Sequence, residues 1–150
     1  MTDWEVAGVD VTHLQQTTPA PLPVGNFTTP TIYSGVFISP PSKPDQSFPQ
    51  DSYISTPGWF KGQMWVNNFN LGRYWPAAGP QMTLYVPKTI LRPFPFENNI
   101  LMLEYERAPC VSSSSCVVQF TTTPVLNGSV HPDEYDLRLP LQNIRLHGHV

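Results

Sequence analysis

The chain has 150 residues, 40% of them hydrophobic and 12% aromatic, which suits one domain able to bury a sizeable core. Only 13% are charged, and the formal net charge of −3 with a pI near 5.7 leaves no basic surface for nucleic acid. The 18 prolines argue against long helices, because each one removes a backbone donor and breaks the helical turn, and no apolar run approaches the ~20 residues that cross a bilayer, so no membrane contact is expected.

The opening residues, Met1 to Gly8, lack the basic and apolar regions of a signal peptide. Trp4 to Val11 alternates loosely and Thr17 to Pro30 is rich in Pro and Thr, so residues 1–30 are read as a partial first strand and a loop. Residues 32–38 form the first clear strand pattern, ended by Pro40-Pro41, with Pro44 extending the turn region. Ser52 to Ser55 is a short strand stopped by Pro57-Gly58.

Gly62 to Val66 reads as a strand with Met64 and Val66 on one face and Trp65 on the other, and Phe69 to Arg73 as its hairpin partner. Asn67-Asn68 between them predicts a type I′ turn, since both central positions need φ > 0 and Asn tolerates that conformation best after Gly. Gly79-Pro80 is a second turn, feeding a strand over Met82 to Val86, and Ile90-Leu91 fall in one short helical turn. Asn99 to Glu106 is the longest predicted strand, with Leu101, Leu103 and Tyr105 on one face and Met102, Glu104 and Glu106 on the other. Val117 to Thr121 is the last. Leu137, Leu139 and Leu141 alternate but Pro140 interrupts them, so residues 127–150 are expected to be a disordered tail, behind a sandwich domain over 31–126. Short strands divided by Gly and Pro turns predict an all-β fold, a β-sandwich of jelly-roll type.

Cys110 and Cys116 flank a Ser-rich loop at a spacing that permits a small disulfide ring, and Asn26 and Asn127 each head an N-glycosylation triplet. Together these point to an oxidising compartment.

The block from Pro57 to Pro76, which begins Pro-Gly-Trp-Phe-Lys-Gly-Gln-Met-Trp-Val and ends Leu-Gly-Arg-Tyr-Trp-Pro, closely resembles the C-terminal domain of family 35 β-galactosidases. Gly79 to Pro87, Leu101 to Cys110, and Val118 to Phe120 with Pro124 to Leu126 continue the match in order. Over residues 1–52 it rests on Thr2-Asp3-Trp4 and on Tyr33 to Phe37. The resemblance implies a galactose-binding-like jelly roll, without its first strands, whose partner in the full-length protein is a (β/α)₈ barrel. In the family that barrel removes terminal β-linked galactose through two glutamates. These 150 residues do not contain it. Animal lysosomal members share the Ala-Pro-Cys and second-Cys arrangement seen at Cys110 and Cys116, which implies a lysosomal or extracellular glycoprotein of carbohydrate metabolism. One departure is Asn68, where the family carries Gly in the turn.

Retaining glycosidases hold two carboxyl groups about 5 to 5.5 Å apart across the sugar. Glu104 and Glu106, two apart on one strand, cannot flank a substrate from opposite sides, and are read as a solvated or salt-bridged face. The family's acid/base glutamate follows an Asn, and none of Glu5, Glu97, Glu104, Glu106 and Glu134 does, so no catalytic residue is assigned. Trp59, Trp65, Tyr74 and Trp75, with Asn67, Asn70 and Arg73 as polar partners, form either a platform for a sugar ring or an ordinary aromatic core. In the core reading Arg73 pairs with a carboxylate such as Glu104. His147 and His149 make a poor metal site with only two ligands, and no metal or cofactor is expected. The function read from these residues is a non-catalytic scaffold domain; the competing reading is a free-standing lectin-like module that binds β-galactosides.

Overall fold

The computed structural model describes residues 30–39, 49–112, 114–128 and 142–149, with Gly8, Asp10 and His13. The expected first strand and loop over 1–30, the sequon at Asn26, and residues 129–141 of the expected tail lie outside these, apart from the four described residues at or before Pro30.

Two antiparallel sheets carry the fold. The first has strand order β4-β3-β6-β1-β9 and the second β5-β2-β7-β8. Here β1 is Thr31–Ile38, β2 Ser52–Ser55, β3 Gly62–Val66, β4 Phe69–Tyr74, β5 Thr83–Val86, β6 Glu97–Glu104, β7 Val117–Thr121, β8 Gln142–Arg145 and β9 His147–His149. Strands β1 to β7 fall within one residue of where alternation placed them, except that β6 begins and ends two residues earlier than the predicted 99–106. A single 3₁₀ turn, Lys88–Ile90, follows β5.

Alternation explains the core. Tyr33 and Phe37 of β1, Met64 and Val66 of β3, and Ile100 and Met102 of β6 point inward from the first sheet, and meet Ile54, Val86, Val118, Phe120 and Ile144 from the second. Phe37 and Phe120 touch across the layers, with ring centroids 4.9 Å apart.

Local chemistry sets the turns. Asn67 and Asn68 have φ of 48° and 68°, the left-handed pair that joins β3 to β4 as a two-residue type I′ connection. Gly58 has φ of 77° behind Pro57, and Trp59 N–H donates to the Thr56 carbonyl at 3.3 Å, closing the turn that ends β2.

The expected disordered tail is corrected over 142–149. β8 pairs with β7 and β9 with β1, so the chain passes from one sheet to the other at Leu146. Leu146 is fully buried, and its N–H donates to the Cys116 carbonyl at 2.9 Å. Ile144 and Leu146 supply an alternating apolar pair, and the unpaired sides of β7 and β1 supply the hydrogen-bond partners. The crossing needs Gly35. A Cβ there would lie 2.6 Å from the Arg145 carbonyl oxygen and 2.8 Å from Leu146 Cδ2.

Candidate functional site

The β3–β4 hairpin and the segment leading into it bring the predicted aromatic residues together, but in two different environments. Trp59 is 2% exposed. Its ring meets the Tyr33 edge at 4.9 Å and lies 6.5 Å from Tyr74, and its Nε1–H donates to the Val117 carbonyl at 2.9 Å. It therefore ties β1 and β4 of one sheet to β7 of the other. Tyr74 is equally enclosed, and its hydroxyl donates to Glu104 Oε2 at 3.0 Å. Burial, and then the Glu104 charge, push the Tyr74 phenol well above its ordinary pKa; Tyr33 moves the same way for the same two reasons.

Glu104 is where the structure departs most from expectation. It is 1% exposed rather than solvated. Oε1 accepts from the backbone N–H groups of Lys61 at 3.2 Å, Glu106 at 3.1 Å and Arg107 at 3.3 Å, while Oε2 accepts from Phe60 N–H at 3.1 Å as well as from Tyr74. Five donors around one carboxylate supply the hydrogen bonds that a buried charge requires. The expected pairing of Arg73 with Glu104 is thus corrected: the carboxylate is taken up by backbone groups, and the Arg73 guanidinium lies 5.1 Å from the Trp75 ring centre. Glu106 behaves as expected. It lies beyond the end of β6, half-exposed, and forms an ion pair with Lys61. One carboxylate is sealed in and the other is at the surface.

The remaining residues of the predicted set lie at the periphery. Trp65 is half-buried on the outer side of β3. Trp75, also half-buried, has Lys61 Nζ at 5.1 Å from its ring centre in addition to Arg73. Phe60 lies between Lys61 at 5.7 Å and Arg107 at 5.0 Å, so alternating cations and rings run from Arg73 to Arg107. Asn70 is exposed, with Oδ1 accepting from Gly72 N–H at 2.7 Å. Asn67 is fully engaged inside the protein: Nδ2 donates to the Ile90 carbonyl and to Asn98 Oδ1, both at 2.7 Å, and Oδ1 accepts from Asn99 N–H at 2.9 Å.

Asn98 was not singled out in the sequence. It is fully buried, accepts from Arg92 N–H at 2.7 Å and donates to the Arg92 carbonyl at 3.2 Å, so it fixes the loop after the 3₁₀ turn. Its place on the inward face of β6, in step with Ile100 and Met102, was the available signal.

Cys110 and Cys116 form a disulfide. Asn127 is exposed. Among the described residues no group of three or more His, Cys, Asp or Glu side chains could hold a metal, and no helix is long and apolar enough to cross a membrane.

Two facing antiparallel sheets stapled by buried aromatics define an all-β sandwich of the galactose-binding-like, jelly-roll class. Comparison with known sequences makes the relationship specific. Residues 30–99 match the family model described as "Beta-galactosidase, galactose-binding domain". The chain is 51% identical over 114 residues to a β-galactosidase of Pongo abelii, covering 73% of this chain and 16% of that protein. It is 50% identical over 114 residues to a β-galactosidase of Homo sapiens, with the same coverages, and 47% identical over 123 residues to one of Canis lupus familiaris, covering 81% and 18%. The segment it shares with these animal proteins includes residues 30–99, which are similar to that galactose-binding domain, and the match spans less than a fifth of their length.

Proposed function

We propose that this chain acts as a non-catalytic sandwich domain that supports the catalytic barrel of a β-galactosidase-type glycoside hydrolase, in the cleavage of terminal β-galactosides. What carries the reading is that about half-identity to β-galactosidases is confined to a segment making up 16% to 18% of their length. The state of the glutamates agrees with it. Glu104 is enclosed by five donors and Glu106 is paired with Lys61, so this strand offers no opposed pair of acids for a glycosidic bond. The Cys110–Cys116 disulfide and the exposed sequon at Asn127 fit a glycoprotein of a lysosomal or extracellular compartment. The test is hydrolysis of a chromogenic β-galactoside by the purified chain. No turnover above the blank is expected; turnover abolished by Glu104→Gln or Glu106→Gln overturns the reading.

A second reading, a lectin-like module for β-galactosides, is favoured by the description of the matched family and by the part-open Trp75 ring beside Arg73. Sugar contact would then fall to Trp65, Asn70, Arg73 and Trp75, because Trp59 and Tyr74 are enclosed and the Asn67 amide is engaged. Calorimetry with lactose distinguishes the readings: saturable binding that weakens in Trp75→Ala and Arg73→Ala supports the lectin, and no saturable binding dismisses it.

A further inference from the structure

The loop that leads from the 3₁₀ turn into β6 carries Pro93, Phe94, Pro95 and Phe96 in succession. The Phe96 N–H donates to the Pro93 carbonyl at 2.9 Å, so these four residues close a turn with Phe94 and Pro95 at its tip. Phe94 is 49% exposed and Phe96 62%. Neither ring belongs to the hydrophobic core or to the partly buried side chains packed against it. Neither makes an aromatic contact with another described residue. Exposed turns ordinarily carry Gly, Pro, Asn, Asp or Ser, as those at Gly58, at Asn67-Asn68 and between Ser112 and Ser115 do. The prolines suit a turn, but two exposed phenylalanines contribute nothing to forming one, and such an apolar run on a surface marks a contact.

The turn is also held in place from beneath. The N–H and the carbonyl of Arg92, the residue before it, both bond the Asn98 side chain, at 2.7 and 3.2 Å. The same buried amide donates to Ser39 Oγ, just past the end of β1, and accepts from Asn67 in the β3–β4 turn. Three segments thus converge on one side chain at this end of the sandwich. Exposed Arg92 and Glu97 flank the apolar run, and Phe69, 49% exposed, opens β4 at the same end. An apolar group already fixed by its scaffold loses little conformational freedom when it meets a partner.

We infer that the turn bearing Phe94 and Phe96 is the anchor by which this domain docks on the remaining polypeptide of a β-galactosidase-type protein. The inference rests on the scaffold reading and names its contact. The occupant is argued from position and length. Residues 30–99, which match the family model, include the whole turn. The relatives carry the matched segment as 16% to 18% of their chains, so most of each relative lies outside it. Exposed aromatic anchors with charged residues at their margin have the composition of a protein–protein contact.

The test places the whole chain in the Homo sapiens β-galactosidase in exchange for the segment it matches. It compares the unsubstituted chimera with Phe94→Ser/Phe96→Ser, with Phe94→Leu/Phe96→Leu, and with Val111→Ser, a 61% exposed apolar residue beyond the other end of β6. The same variants are made in the isolated chain. The expected result is an active chimera, a several-fold lower yield of active protein for Phe94→Ser/Phe96→Ser, and most of that yield regained in Phe94→Leu/Phe96→Leu, which stays apolar. Val111→Ser should lose nothing, and thermal unfolding of the isolated chains should be unchanged. Equal yields from Phe94→Ser/Phe96→Ser and Val111→Ser overturn the inference while leaving the scaffold reading standing. Destabilisation of the isolated Phe94→Ser/Phe96→Ser chain overturns it in favour of packing within the domain. Self-association of the isolated chain that these serines abolish overturns it in favour of a second copy. An unsubstituted chimera that fails to yield active enzyme overturns the scaffold reading, and the inference with it.

Discussion

The Tyr74 hydroxyl, at the end of β4, donates to Glu104 Oε2 at the end of β6 over 3.0 Å, and so joins two strands separated in their sheet by β3. Around that bond the backbone of Phe60, Lys61, Glu106 and Arg107 converges on the same carboxylate.

Removing the carboxylate should therefore cost far more than removing the hydroxyl. Glu104→Ala strands four backbone N–H groups and is expected to lower stability by about 3–5 kcal/mol, whereas Tyr74→Phe, losing one charged hydrogen bond, should cost about 1.5–3 kcal/mol. Urea unfolding followed by tryptophan fluorescence measures both. Near-equal effects would show that the N–H groups find other partners.

Asn67 and Asn68 share a left-handed backbone conformation, yet glycine at the two positions should act in opposite directions. Asn68 is exposed, so Asn68→Gly relieves a disfavoured φ of 68° and is expected to stabilise by up to about 0.5 kcal/mol. Asn67→Gly relieves the same strain but deletes three hydrogen bonds to Ile90, Asn98 and Asn99, for an expected net loss of about 2 kcal/mol. Midpoints of denaturant unfolding for the two variants give the signs directly.

The Cys110–Cys116 bond closes a loop with a sequence separation of 6. For so short a loop the restriction of the unfolded chain contributes about 2 kcal/mol, the expected loss in the double variant Cys110→Ser/Cys116→Ser. Thiol titration of natively folded secreted protein should find no free cysteine, and two reactive thiols would refute the assignment.

Asp51 provides a pH dependence with a definite sign. The Lys88 N–H, and then the Tyr85 hydroxyl, hold its carboxyl below the ordinary value of 3.8. A group whose folded pKa is depressed contributes stability that is present above its unfolded pKa and disappears as pH falls through the folded one. Wild-type stability should thus fall below about pH 4 by an increment that Asp51→Asn lacks. Unfolding midpoints from pH 5 down to pH 2 test this; parallel curves for the two proteins would exclude it.

How much could be read before folding differs residue by residue. The strand patterns over 32–38, 52–55, 62–66 and 117–121, the type I′ turn at Asn67-Asn68 and the disulfide spacing depend on neighbours in the chain, so alternation and turn chemistry disclosed them. The ordered blocks of residues that resemble β-galactosidases were legible for the same reason: they are properties of the linear order. The partition of the aromatic set was not, because Trp59 and Trp65 are alike in composition and differ only in which side of the sandwich they meet.

By itself, then, the sequence determined an all-β chain, its seven central strands and its kinship. The tertiary structure alone decided that Glu104 is buried, since four of its five donors come from backbone brought together by sheet pairing and the turn after β6. It also decided that residues 142–149 are strands rather than tail. Their order comes from the unpaired edges of β7 and β1 and from the space above Gly35, and such non-local partners leave no mark on the local pattern of residues.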